Sequence, residues 1–143
     1  LPLSSKLDLL PFRRDPVYAV LPPGHPFADA EACPASAFQS EPFIMLDEGN
    51  NQELFHYFKA SQVKPNIVYK VRDDYTIMSM VENGLGISIL PAPVLERSPY
   101  RIASRPLAPF MERQLCIACR NKKTLTMAAK LFIREMQQCI GIR

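Results

Sequence analysis

Between Phe43 and Leu90 the chain alternates short apolar runs with segments of helical spacing, and this alternation constrains the fold more than anything else in the sequence. Phe43-Ile44-Met45-Leu46 has strand length, as has Ile67-Val68-Tyr69-Lys70-Val71. A third run, Ile87-Ser88-Ile89-Leu90, is nearly all apolar and is ended by Pro91, as suits a parallel strand covered on both faces. Between the first two runs, residues 47–53 turn polar. There Asn50 and Glu53 have the spacing of a capping pair, and Leu54, Phe55 and Phe58 supply a buried stripe, so a helix is predicted. Between the second and third runs, Asp73 or Asp74 caps a helix. Its Ile77, Met80 and Val81 share one face, and Gly84 offers the left-handed stop. Strand, helix, strand, helix, strand predicts right-handed crossovers and a parallel sheet of the α/β class.

Elsewhere the pattern is sparser. Residues 17–21, Val-Tyr-Ala-Val-Leu, read as a strand closed by Pro22-Pro23-Gly24. A short helix is predicted over 34–39 with Pro34 in its first turn. Strands are predicted over 100–107 and 113–119, separated by Pro109-Phe110-Met111. The tail reads as a helix from about 124 to 139, with Leu125, Ala128, Ala129, Phe132, Met136 and Ile140 on one face and Lys130, Arg134 and Gln137 off it. At 143 residues and 48% hydrophobic content, one domain with a sizeable core is expected.

The net charge of +3 is scattered, with no basic run longer than Arg13-Arg14 or Lys122-Lys123, which argues against nucleic-acid binding by this segment. No stretch approaches the roughly 20 apolar residues that span a bilayer, and the first residues lack a signal-peptide layout, so a cytoplasmic protein without a membrane partner is expected. The abrupt start at Leu1, without Met, is what a piece of a longer chain would show.

Catalytic machinery is hard to assemble from these residues. Cys116 and Cys119 have redox spacing, but within a strand they point to opposite faces, and a role as buried small hydrophobes is expected. The four cysteines include no spacing repeated twice, as a zinc ribbon needs, and are expected to be reduced. His25 lies in a turn and His56 in a helix, with no nucleophile setting near either. The pairs Asp47-Glu48 and Asp73-Asp74 sit where strands give way to helices and suit capping better than general acid–base work. Gly84-Leu85-Gly86 lacks the third glycine and the strand-first order of a dinucleotide fingerprint. No enzyme, metal or cofactor is expected. What remains is positional: in an open α/β sheet, ligands collect at the carboxyl ends of strands, here 47–51 and 72–76. Ordinary capping accounts for the same loops equally well.

Two stretches carry a resemblance. Asp15-Pro16-Val17-Tyr18-Ala19-Val20-Leu21-Pro22-Pro23-Gly24-His25-Pro26-Phe27-Ala28 resembles the segment of LysR-type transcriptional regulators that enters the second half of their sensing domain. Residues 76–91, a helix running into Gly84-Leu85-Gly86 and a buried strand ending in Pro91, resemble the same family's most recognisable stretch. Glu41-Pro42-Phe43-Ile44-Met45-Leu46 and the final helix are similar to family elements too.

The resemblance implies a type II periplasmic-binding-protein-like lobe with a mixed, mainly parallel sheet and flanking helices. It implies a second lobe over about 22–112, crossing strands over about 15–21 and 113–120, and a returning helix over about 124–140. Most of the first lobe and the DNA-binding domain would lie outside the chain. The implied function is effector sensing, with a small molecule held between two lobes by Asp47, Glu48, Gly49, Asn50, Asn51, Asp73, Asp74 and Tyr75. In the peroxide-sensing branch the reactive cysteine lies in the loop after the strand at 43–46, which here holds Asn50 and Asn51 and no cysteine, so sensing by that mechanism is not expected. Homodimers or tetramers through the sensing domains are implied, with DNA contacted only by an N-terminal helix-turn-helix. Two alternatives share the fold: a solute-binding protein of a transporter, and an enzyme dependent on Asp47 or Asp73.

Overall fold

The computed structural model describes residues 7–47, 49 and 51–139. In chain order its strands are β1 (Asp8–Leu21), β2 (Cys33–Pro34), β3 (Phe43–Leu46), β4 (Ile67–Val71), β5 (Ile87–Pro91), β6 (Ala103–Ala108) and β7 (Glu112–Cys119). Its helices are α1 (Ala37–Ser40), α2 (Gln52–Ala60), α3 (Asp74–Glu82), α4 (Ala92–Leu95) and α5 (Met127–Cys139). Two compact units result: Pro16–Arg113, and Leu1–Asp15 with Gln114–Arg143.

The larger unit is built on the predicted alternation. β3 pairs in parallel with both β4 and β5, as successive right-handed crossovers through α2 and α3 require. The sheet runs β2-β6-β1-β5-β3-β4, with β7 paired to β1 off this path. It is mixed because β1 enters antiparallel between β5 and β6, Ala19 facing Ile89 on one side and Arg105 on the other. Residue parity then sorts the core. Ala19, Leu21, Phe43, Met45, Ile87 and Ile89 pack on one face with Phe38 of α1 and Phe58 of α2. Val20, Ile44 and Leu90 pack on the other with Ile77, Met78 and Val81 of α3. A sheet covered on both faces explains why β5 is buried along its whole length. The one polar residue in that strand, Ser88, is fully buried, and its hydroxyl donates to the Ile44 carbonyl at 2.7 Å. Phe38, Phe43 and Phe58 meet edge to face at 5.3–5.7 Å, worth about 0.5–1.5 kcal/mol per pair beyond area burial.

Several local expectations are corrected. β1 starts well before Val17, running through Pro11 and Pro16. Pro16 precedes the first residues of β1 laddered to β5 and β6, Val17 and Tyr18, so its missing N–H costs neither ladder a bond. Cys33 and Pro34 form a short parallel strand against β6, and Ala35 N–H donates to the Ala108 carbonyl at 2.9 Å, so the first helix starts at Ala37. In α2 the stripe is Leu54 and Phe58, four apart, while Phe55, one position round the helix, is 46% exposed. The Asn50–Glu53 capping pair falls on Asn50, outside the described residues; the helix begins at Gln52 behind Asn51, which makes no side-chain cap bond.

The turn after β1 is held by His25. Its Nδ1 accepts the Phe27 N–H at 3.1 Å, which leaves the ring proton on Nε2 to be donated to Glu41 at 2.8 Å. The buried imidazole thus ties that turn to the end of α1.

In the smaller unit, the Asp8 carboxylate accepts the Lys122 N–H at 2.8 Å, and Gln114 donates to the Arg13 carbonyl at 3.0 Å. Arg13 pairs with the buried Asp15 at 2.8 Å. Side chains in β7 alternate between exposed and half-buried. Cys116 is exposed and Cys119 intermediate, so neither is the buried small hydrophobe expected of it, although they do face opposite ways. α5 starts later than expected, with the Thr126 hydroxyl accepting the Ala129 N–H at 3.2 Å. Its half-buried positions are Ala129, Ile133, Met136 and Gln137, whereas Ala128 is exposed and Phe132 is 65% exposed. The sheltered line is therefore rotated from the expected apolar face.

Candidate functional site

A recess of ≈ 90 Å³ opens at the carboxyl ends of β3 and β5, where their last residues, Leu46 and Pro91, form part of its wall. α2 begins at the same place and adds Asn51, Glu53 and Leu54. Val17 of β1 stands opposite Pro91 in the sheet and donates its N–H to the Met111 carbonyl at 3.0 Å. That bond holds Met111, and with it Arg113, against the recess, which Ile89 completes. The lining is apolar but for Asn51, Glu53 and Arg113. Its place follows from chain order: β4 lies to one side of β3 and β5 to the other, and crevices open where connections diverge in this way.

The predicted site residues distribute unevenly around this recess. Asn51 lines it. Asp47 directly follows β3, donates its N–H to the Val71 carbonyl at 2.8 Å and accepts the Gly49 N–H at 3.3 Å. The first of these bonds lays the loop after β3 beside the loop after β4, so the two predicted loops are neighbours. Asp73 is committed to α3: its carboxylate accepts the Thr76 hydroxyl at 2.6 Å and the Thr76 N–H at 2.7 Å. Those two bonds, the hydroxyl's first, hold its carboxyl below the usual aspartate range. Asp74 opens α3, and Tyr75 is 52% exposed with its ring 6.5 Å from that of Tyr100. None of Asp47, Gly49, Asp73, Asp74 and Tyr75 lines the recess. Glu48 and Asn50 lie outside the described residues.

Sequence reasoning missed Val17, Met111 and Arg113 as wall residues, since only tertiary pairing brings them to β3 and β5. Leu46, Ile89 and Pro91 were legible as strand ends, and the rule that ligands gather there would have found them. Among the described residues, no three His, Cys, Asp or Glu side chains are grouped to hold a metal, and no helix is long and apolar enough to cross a membrane.

Residues 1–139 match the sequence profile of the LysR substrate binding domain. The chain belongs to that family. It is 26% identical over 140 residues to the HTH-type transcriptional regulator YvbU of Bacillus subtilis, covering 96% of this chain and 48% of the relative. Among solved structures, the LysR family regulator HinK of Pseudomonas aeruginosa superposes with a TM-score of 0.85 at 26% identity, over 99% of this chain and 51% of that one. The regulatory domain of CcmR from Synechocystis PCC6803, in complex with 2-PG, superposes at 0.84 with 20% identity, over 99% of this chain and 70% of that one. The chain thus spans about half the length of the curated relatives it matches. A LysR substrate-binding fold carries the expected periplasmic-binding-protein-like architecture, and regulators as relatives favour the sensing reading over the transport one.

Proposed function

We propose that this chain is the effector-sensing part of a LysR-type transcriptional regulator, taking a small molecule into the recess between β3, β5 and the start of α2. The observation that carries this reading is the coincidence of the recess with the carboxyl strand ends, in a chain matched over residues 1–139 to a substrate-binding domain. The bound 2-PG in the CcmR regulatory domain supports a small molecule as the occupant. The family resemblance adds Asp47, Glu48, Gly49, Asn50 and Asn51 of the loop after β3, and Asp73, Asp74 and Tyr75 at the start of α3, as residues expected to contact the effector.

This wall is one side of a cleft whose other side belongs to a first lobe outside the chain. An effector that binds the closed arrangement better than the open one shifts the population toward it, and an N-terminal helix-turn-helix outside the chain reads out the shift on DNA. No covalent step is needed, so the chain is not an enzyme, and it works in the cytoplasm. Pairing of sensing domains would use the side of the larger unit carrying Phe55 of α2 and the edge strand β4, where Val68 and Tyr69 are 49% and 38% exposed.

The test uses the complete regulator. Metabolites are screened for a rise in melting temperature, and each hit is repeated with Asn51→Trp after far-ultraviolet circular dichroism has shown that variant to be folded. Loss of the ligand-induced rise is the expected result. A rise of unchanged size places the effector elsewhere.

A further inference from the structure

Near the amino end of β3, away from the recess, a buried imidazole holds a turn by a bond that a single proton removes. His25 lies between β1 and β2, and its side chain is only 5% exposed. Its Nε2 donates to Glu41, whose two carboxylate oxygens lie 2.8 and 3.0 Å away, and its Nδ1 accepts the Phe27 N–H at 3.1 Å. A neutral imidazole has one donor and one acceptor nitrogen and makes both bonds, whereas the imidazolium has two donors and cannot accept. A proton on Nδ1 therefore sets two N–H groups against each other where the present bond lies.

Glu41 decides which part yields. Its bond to Nε2 strengthens when the ring becomes cationic, so the ring stays and the backbone of the turn moves. That backbone has little else to hold it: His25 N–H to the Pro22 carbonyl at 3.2 Å, and Ala28 N–H to the His25 carbonyl at 2.8 Å, are bonds within the turn itself. Phe27, which packs against the core face holding Phe38 and Phe43, moves with it.

The charges around the ring leave its own proton as the one that matters. Beyond Glu41, burial first and then the Glu41 charge push the Cys33 thiol of β2 up to about 11. Burial first and then Cys33 push the Tyr57 hydroxyl of α2 up to about 12. Both groups are neutral in the range where an ordinary histidine titrates, about pH 5 to 8. On the outer side, Pro23, Gly24, Ala28 and Asp29 face Arg101 and Arg105 across a groove, and these three charged residues keep their charge over the same range.

We propose that the turn after β1 is a proton-operated latch: one proton on His25 Nδ1 releases the Phe27 amide and loosens residues 24–28, one wall of that groove, while the sheet stays intact.

The complete regulator is followed by hydrogen–deuterium exchange between about pH 8 and 5, each rate divided by that of the unfolded peptide at the same pH. Protection of the Phe27 amide is expected to fall by about threefold or more on acidification, as loss of one hydrogen bond allows. The Asp47 amide, bonded to the Val71 carbonyl at 2.8 Å, should keep its protection. His25→Asn supplies an oxygen that accepts the same N–H two residues on and does not titrate, so Phe27 protection in that variant should not change with pH. Glu41→Gln removes the charge that favours the imidazolium, so the fall should begin at lower pH, and this variant decides alone if His25→Asn does not fold. The latch is overturned by constant Phe27 protection in the parent, by equal losses at Phe27 and Asp47, by the parent's pH dependence persisting in His25→Asn, or by an unmoved onset in Glu41→Gln.

Discussion

Gly84 and Gly86 stand two residues apart at the entry to β5, and replacing each by alanine separates conformational strain from steric conflict. Both have positive φ, +73° and +155°. A Cβ on Gly84 meets nothing within 4 Å, so Gly84→Ala carries only the left-handed penalty, about 1–2 kcal/mol. A Cβ on Gly86 runs into the carbonyl oxygen of Pro42, with the Pro42 carbonyl carbon at 3.1 Å and its Cβ at 3.2 Å. That oxygen cannot withdraw freely, because it accepts the Ile87 N–H at 2.9 Å in the bond that starts β5 beside β3. Overpacking of about 1–3 kcal/mol and the loss of a hydrogen bond worth about 1 kcal/mol add to the backbone term. Gly86→Ala is therefore expected to destabilise by about 3–6 kcal/mol. That is a large fraction of the roughly 5–15 kcal/mol that holds a domain together. The chain contains no Trp, so urea unfolding is followed by far-ultraviolet circular dichroism. Equal losses for the two variants would show that the close approach to Pro42 does not matter and that the strand entry adapts.

Two further predictions concern titrating groups. Burial first, and then the negative charge of Glu41, push the Cys33 thiol up to about 11, so at neutral pH a soluble thiol reagent should label the exposed Cys116 and Cys139 quickly and Cys33 only after unfolding; fast labelling of Cys33 in the folded protein would refute this. Because the folded-state pKa of Asp73 is depressed, its contribution to stability is present above the ordinary aspartate range and lost as pH falls through the folded value. Asp73→Asn should thus destabilise at neutral pH, with the difference from the parent closing in acid; a pH-independent difference would mean that the bonds to Thr76 do not favour the charged carboxylate.

The three parallel strands and the two helices between them were legible because each strand is a short apolar run and each junction carries its own punctuation, although only β3 and β5 are buried on both faces and β4 is an exposed edge. Asp73 caps α3 and Gly84 stops it, as the residue types dictate. Sheet order was less legible. Nothing in the local pattern of residues 17–21 says that they lie between β5 and β6, since antiparallel insertion is decided by which edges are left open once the crossovers have formed. The recess divides in the same way. Asn51 was found from its loop, but Met111 and Arg113 arrive through the bond from Val17 N–H, a contact between residues far apart in sequence. In α5 the apolar spacing misjudged the sheltered line, because periodicity reveals that a face exists and not what packs against it.

The central place of β1 also affects synthesis. Ala19 emerges from the ribosome about 70 residues before Ile89, its partner on one side, and later still comes Arg105 on the other. At roughly 5–20 residues per second this strand waits about 4–14 s for its first neighbour. For that time an apolar ribbon ending in Val20 and Leu21 has both edges open, the condition in which strands pair with the wrong chain. The residues just upstream, Arg13, Arg14, Asp15 and Pro16, are of the charged and proline types that keep such a ribbon from aggregating. A nascent chain stalled once Pro91 has left the ribosome, but before β6 has, would have one neighbour for β1 and its other edge still open.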